Sequence, residues 1–513
     1  VLIKIYFLKH PLRFLLLIGF VVRIIAAIFS KGFLTLDDHF NLVVDADMLA
    51  RGIQLPLDYK DSVLYPWSVS LIMSGMRFLG NTSPDTEMLV IRLSQAVFST
   101  LGIFFVYRIL QKIDGEESAN LGGLLYATYF LLPITSVHQF EESVCQVPLL
   151  ASLWLSVKKT EQQKEMEKWN AVLAGIFLGI ALIIRFPLLS FVLPFLILNF
   201  SLAEYRKNTF YMLFGLMFIV LLQSAINMYI NGEFGYSFQR NYGFLFTQGQ
   251  ELVKSASGYP SGPPWRYGET ILAIFLPPFS FLVLIACFKA GKKHLWLSIP
   301  TLFFFVAHSL IANKQERFLL PIIPFIIILS AIGFSNVKEW FEKTNARWKT
   351  YKALWLYFLV LNTILLCVSL FVYGKKDRVE PLSFIQRQQN VTGVIVAQYS
   401  YQFPVPTYYF GKPSPPVIVF EHTSNVQNDA KQLSHFPFFP NYVVLYSDSV
   451  VRDSKLLEAA LDISLVHQTT VLPSIGDLLA HNINPKHNKA NTAYVFYVYE
   501  GVYEIPLPLV DVF

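Results

Sequence analysis

Two adjacent carboxylates, Asp37 and Asp38 in the segment TLDDHF, follow directly on the first long apolar run of the chain. At a lipid-water boundary one of them can act as a general base toward a hydroxyl, its pKa raised by partial desolvation and by its like-charged neighbour. The plainer account is an acid pair at a helix entry, where Asp is favoured. Far along the chain, NKQERFLLPIIP sets Asn313, Lys314, Glu316 and Arg317 against the start of another apolar run. Cations there can hold a lipid-linked phosphate at headgroup depth, Arg through a planar fork and Lys as a point charge. They can equally be interfacial anchors.

Three more arginines lie in or beside apolar runs: Arg23 within the first, Arg92 at the start of the second, and Arg185 in RFP between two others. Ionisable groups at such depth are costly. For Arg23, the deepest, a phosphate or carboxylate partner is expected; Arg92 and Arg185 suit either a substrate role or snorkelling to the interface. The turn VHQFEES supplies His138, Glu141 and Glu142, and the segment PPWRYG supplies Trp265, Arg266 and Tyr267. Carboxylates and aromatic faces are what sugars bind, although such residues are more often plain surface. No phosphate-binding glycine loop, zinc-protease motif or nucleophile elbow stands in a usable context.

Something must hold these scattered groups together, and the composition says what. Of 513 residues, 54% are hydrophobic and only 15% charged, with a mean hydropathy of +0.46, so the expected solvent is a membrane. The net charge of +6 is spread over short clusters between apolar runs. Anionic lipid and topology explain that pattern, and no nucleic-acid-binding arm is present. The three cysteines, Cys145, Cys287 and Cys367, lie in or beside apolar runs and form no disulfide framework or zinc spacing.

Apolar runs near bilayer length occur around 14–33, 88–110, 119–137, 143–157, 170–184, 186–202, 209–230, 269–289, 295–312, 317–335 and 353–373, which predicts about eleven spans. The first, flanked by Lys4, Lys9 and Arg13, reads as a signal anchor. With the N-terminus inside, the cytoplasmic segments carry Arg108 and Lys112; Lys158, Lys159, Lys164 and Lys168; Arg206 and Lys207; Lys289, Lys292 and Lys293; and the Lys338–Lys352 cluster. This alternation follows the positive-inside rule. It places the loops 34–87, 138–142, 231–268 and 313–316 on the outer side, with 65–79 as an interfacial helix. Residues 1–374 then form a membrane domain, and 375–513 a soluble extracytoplasmic α/β domain marked by the strand-like runs GVIVAQY, PPVIVFE, NYVVLYSD and AYVFYVYE.

Taken in order, these segments resemble the C-type glycosyltransferases (GT-C) of family 22, the polyprenyl-phosphate-mannose-dependent mannosyltransferases. The family's acidic pair in the first outer loop, Tyr-Pro segment, Arg at the second span, Arg-Pro turn, Pro-Trp loop and His-Lys-Glu-x-Arg-Phe motif are matched by Asp37 and Asp38, SVLYP with Tyr65, Arg92, RFP from Arg185, PPWRYG, and NKQERF. Asn313 and Gln315 replace the family's usual His and Glu, and Asp38 its second acid. The resemblance covers about residues 15–335.

It implies a polytopic α-helical membrane enzyme that moves a hexose, with mannose expected, from a polyprenyl-phosphate donor to a glycan or glycolipid acceptor with inversion. Asp37 is then the base and Asp38 its helper, with Lys314, Arg317, Arg23 and Arg185 binding the donor phosphate. Arg92, Tyr65, His138, Glu141, Trp265, Arg266, Asn313 and Glu316 would contact substrate. No obligatory cofactor is expected, although the Asp pair could bind a divalent cation. The expected location is a bacterial inner membrane with the site facing the periplasm, or the lumen in an ER membrane. The rivals are a lipid or glycan flippase, which would show the repeats of transporters, and a transferase of the aminoarabinose or protein O-mannosyl type.

Overall fold

The computed structural model describes residues 10–55, 62–81, 83–157, 168–243, 260–423, 426, 433, 439–485 and 488–500. Lys4, Lys9, Lys158, Lys159 and Lys164 lie outside them, as does most of the loop before Pro260. The chain divides into two compact units, Val1–Leu79 with Met88–Val372, and Gly80–Glu87 with Tyr373–Phe513.

The first unit is helical, because in hydrocarbon only a helix satisfies its own backbone within one segment. Among the described residues, five helices are long and apolar enough to cross a bilayer, or up to seven if each of two bent pairs is one span. Three shorter apolar helices, Lys168–Ile184, Phe186–Ser201 and Leu295–Leu310, accompany them. The protein is an integral membrane protein.

Packing rests on small residues, since lipid tails give helices no hydrophobic reason to associate. A Cβ added at Gly175 would lie 1.9 Å from the Met212 carbonyl, and one at Gly215 2.2 Å from that of Val172. Helices Lys168–Ile184 and Ala203–Asn231 therefore touch backbone to backbone. Gly333 does the same for Ile323–Glu342 against the Ala286 carbonyl, at 2.0 Å. Ile323–Glu342 is the central helix, buried without a break from Ile323 to Phe334. By contrast Asn345–Ser369 buries little of itself.

The helix Glu116–Thr128 breaks before Leu131–Val137 with a 58° bend. The groups freed there find side chains: Arg23 donates to the carbonyls of Ala127 at 3.2 Å and Tyr126 at 3.3 Å. Asn362 donates to Thr128 O and accepts from Phe130 N, at 3.0 and 2.9 Å. Ser369 donates to Phe130 O at 3.1 Å. A break at this depth persists only when such partners exist.

The second unit is a five-stranded mixed sheet with helices Lys376–Gln386, Val450–Leu461 and Ile475–Ile483. Its strands are β1 (Val394–Gln398), β2 (Val417–Phe420), β3 (Tyr442–Tyr446), β4 (Ile463–Val471) and β5 (Ala493–Glu500), in the spatial order β2-β1-β3-β5-β4. β1 runs parallel to β2 and β3, while β5 is antiparallel to β3 and β4. The parallel centre explains why β1 and β3 read as unbroken apolar runs and are buried throughout.

Gly80–Glu87, expected in the membrane domain's first outer loop, belongs to this unit. Arg387 pairs with Asp85 at 2.9 Å and the Tyr408 hydroxyl donates to Glu87 at 2.9 Å.

Candidate active site

Leu36–Asp38 opens a helix that continues through a wide turn at His39–Val43, with Val44 N donating to His39 O, into Val44–Ala50. Such i→i+5 turns often occur at functional sites. Asp37 and Asp38 therefore sit in the first turn, where acids favour the helix dipole. Asp37 is 44% exposed at its side chain and Asp38 only 9%. Thr35 donates its hydroxyl to Asp38.

Arg317 reaches this turn from the other end of the chain. It lies on the short 3₁₀ helix Glu316–Ile322 that leads into the central helix. One guanidinium nitrogen donates to Asp38 Oδ1 at 2.8 Å and to Thr35 Oγ1 at 2.9 Å, and another pairs with Asp37 Oδ2. Its Nε donates to Gln315 Oε1 at 2.9 Å and lies 3.8 Å from Glu142 Oε1. Glu142 is in turn 3.1 Å from Arg185, whose other nitrogen is 3.5 Å from Glu141. Both guanidinium groups lie over the ring of Phe318, at 4.9 Å for Arg185 and 5.5 Å for Arg317. Arg185 has extended backbone, as the residue that caps the start of the short helix Phe186–Leu188.

Four carboxylates thus face two guanidiniums. Burial pushes the Asp38 carboxyl upward from the ordinary range; Arg317 and Thr35 pull it back, while Glu142 and Asp37 push it further up.

A second chain of polar groups runs beside the first. The Tyr65 hydroxyl is hydrogen-bonded to the Gln95 amide, whose nitrogen, in the orientation that satisfies both ends, reaches the carbonyls of Val137 and His138 at 2.6 and 3.0 Å. His138 Nε2 bonds the Ser30 hydroxyl at 2.8 Å. Arg92 donates to the Ala27 carbonyl at 2.8 Å. Tyr65, His138 and Arg92 are all buried. Trp265 and Arg266 are exposed, on a segment joined to the NKQERF stretch by Lys314 N donating to Pro260 O at 2.8 Å and by the Ser261–Asn313 bridge. Arg266 lies 4.0 Å from Glu316, and Asn313 accepts a long hydrogen bond, 3.4 Å, from Gln315.

The structure brings together Asp37, Asp38, Glu141, Arg185 and Arg317, and does not bring Arg23 or Lys314 among them. Arg23 is fully buried, held by three carbonyls including that of Gly19 at 3.1 Å. The Lys314 ammonium donates to the carbonyls of His308 at 3.2 Å, Ser309 at 2.9 Å and Ile311. An ammonium has three N–H donors, so this one has none left for a phosphate. Here both cations serve backbone carbonyls and stand outside the cluster, since helix ends and breaks inside a membrane protein need donors for their freed carbonyls. Lys314→Met should accordingly lower stability by about 1–3 kcal/mol, the cost of unsatisfied buried carbonyls, and leave donor KM near its original value. Thermal unfolding in detergent alongside donor titration checks this.

Gln315, Thr35 and Phe318 complete the cluster without having been singled out, and Glu142, named with Glu141 in the same turn, was not among the residues expected to contact substrate. For Glu142 the sequence offered a signal, adjacency to Glu141 in the same turn, but no means of choosing which acid faces inward.

A family model described as the Alg9-like mannosyltransferase family matches residues 14–409. The chain is 23% identical over 348 residues to the GPI alpha-1,2-mannosyltransferase 3 of Bos taurus, covering 66% of this chain and 60% of the relative. It is 22% identical to that of Homo sapiens, with 73% and 65% covered. The chain thus spans somewhat under two thirds of the length of these relatives. In fold it is similar to ArnT from Cupriavidus metallidurans bound to undecaprenyl phosphate, with a TM-score of 0.57 at 12% identity, covering 94% of this chain and 96% of that one. It is also similar to the Archaeoglobus fulgidus oligosaccharyltransferase in complex with Zn and sulfate, with a TM-score of 0.51 at 13% identity, covering 89% and 72%.

Proposed function

The chain belongs to the Alg9-like mannosyltransferase family, and from that premise we propose that it transfers a mannosyl residue from a polyprenyl-phosphate carrier to a hydroxyl of a lipid-linked glycan. The observation that carries this reading is Arg317, which ties the Asp37 and Asp38 turn to the Glu142 and Arg185 turns. A base for an acceptor and cations for a phosphate thereby share one place. The fold likeness to a protein captured with undecaprenyl phosphate supports the donor class, and the relatives named for GPI mannosyl transfer support a glycolipid acceptor.

In this mechanism the acceptor hydroxyl attacks the anomeric carbon opposite the phosphate. Asp37, the exposed member of its pair, takes the proton as the new C–O bond forms and the bond to phosphate oxygen breaks. The carrier changes from a phosphodiester monoanion to a monoester dianion. Charge grows on the leaving group, and Arg185 and Arg317 stabilise it more in the transition state than in the ground state. Asp38 positions Arg317. Arg317 holds one oxygen of each aspartate, which leaves the other oxygen of Asp37 to take the proton.

All eleven apolar segments cross the membrane in this reading, namely the five long helices, both bent pairs, the three short helices and Gln146–Ser156. The cluster then faces away from the cytoplasm, toward a periplasm or an ER lumen, as the Lys and Arg clusters require.

The deciding experiment supplies radiolabelled polyprenyl-phosphate mannose and a glycolipid acceptor to the purified protein in nanodiscs with a chelator throughout. Labelled glycolipid and free polyprenyl phosphate are expected in equal amounts. Movement of intact donor between leaflets without cleavage would overturn the reading in favour of a flippase.

The pH profile offers a second check. Asp38 holds Arg317 as an anion, so activity is lost as pH falls through its raised pKa. The acidic limb of kcat/KM should lie above the ~4 of an unperturbed aspartate, and Asp38→Asn should remove it. A limb at or below that value in the wild type contradicts the assignment.

A further inference from the structure

We propose that the helix Ile475–Ile483 of the second unit lies in the lipid headgroup region, its apolar face inserted into the bilayer surface.

Exposure is the first observation. Ile475, Leu478, Leu479 and Ile483 are 75%, 45%, 50% and 84% exposed, and Leu472 just before them 62%. At 100° per residue the four helical positions share one side. A soluble domain seldom leaves a whole apolar helix face to water. The side opposite carries Asp477, which is buried and is the helix's only charged residue. Nothing charged points outward, which is what insertion among headgroups requires.

Chain continuity says which surface the face meets. The last membrane helix ends at Ser369, and Phe371 and Val372 still donate to carbonyls of its final turn, at 3.2 and 3.3 Å. Lys375 follows three residues later, so it lies within roughly 11 Å of that turn. There the terminal helix is fastened: Asp477 accepts from Lys375 N at 2.9 Å and Lys376 N at 3.2 Å, capping the start of Lys376–Gln386. The Ser474 hydroxyl locks the carboxylate with a 2.8 Å bond and accepts from Asp477 N at 3.1 Å. The helix is thus attached, through buried charge-assisted bonds, to the point where the chain leaves the membrane. An interfacial layer extends about 6–7 Å on either side of the hydrocarbon. A nine-residue helix fastened that near along the chain to its edge has the bilayer surface within reach.

The test uses the full chain with Cys367→Ser, reconstituted in phosphatidylcholine nanodiscs. Ile475→Cys, Leu479→Cys and, as a control on another helix of the same unit, Lys455→Cys are each labelled with bimane. Lipid carrying a doxyl quencher near the headgroup should quench positions 475 and 479 about threefold or more above position 455, and aqueous iodide should show the reverse order. Quenching of 475 and 479 by iodide alone overturns the proposal and leaves a free surface. Shielding from both quenchers also overturns it, in favour of a protein surface or the chain's own last residues as the covering partner. All three positions are exposed, so the labels leave folding intact, and retained mannosyl transfer confirms that for each variant.

Discussion

Asp37→Asn is expected to lower turnover of the proposed polyprenyl-phosphate mannose donor by roughly two to four orders of magnitude, the usual worth of a positioned general base, with donor and acceptor KM little changed. The amide keeps the shape and can still accept from Arg317, but it cannot take the acceptor's proton. Asp38→Asn has a smaller effect, about tenfold, because it weakens a positioning contact and leaves the base in place. The contrast follows from exposure: an acceptor can reach the carboxylate that is 44% exposed and not its neighbour at 9%. Steady-state kinetics on both variants decides it. Equal and near-normal turnover in the two would remove the base from this turn altogether.

Arg317→Ala is expected to cost at least as much, roughly three orders of magnitude in kcat, and to destabilise the membrane unit by about 3–5 kcal/mol, the range for breaking a buried ion pair. Removing this one guanidinium leaves Asp37, Asp38 and Glu142 facing each other. Arg317→Lys does not rescue it, since an ammonium lacks the fork that addresses Asp37, Asp38 with Thr35, and Gln315 at once. Thermal unfolding separates the two losses: a variant folded at the assay temperature yet still inactive reports the chemistry. Near-wild-type kcat in Arg317→Ala would end the proposed role for this residue.

The helical character of the membrane unit was legible because a span needs a long apolar run, while among the described residues five helices, or up to seven with each bent pair as one span, are long and apolar enough to cross. Asp37, Asp38, Arg185 and Arg317 were legible as charges placed where charge is costly. Arg23 and Lys314 looked the same by that criterion and proved different. Their partners are backbone carbonyls at a helix break near Tyr129 and a helix end near Ile311, and a carbonyl leaves no letter in a sequence. Which of Glu141 and Glu142 turns inward depends on the entry angle of a four-residue helix, which periodicity cannot fix. In the second unit the four strand-like runs coincide with β1, β2, β3 and β5. The edge strand β4, with its mixed polar pattern ISLVHQTTV, carried no comparable signal. The adherence of Gly80–Glu87 to that unit depends on partners some 300 residues distant, Asp85 with Arg387 being 302 apart.

That Arg317 stands 280 residues beyond Asp37, at the mouth of the most deeply enclosed helix, also bears on biogenesis. While the ribosome is still feeding the chain into the bilayer, the acids of the first loop wait without their counterion until the penultimate segment is threaded home. On the proposed mechanism, a product that ends before Arg317 lacks the counterion that both acids need.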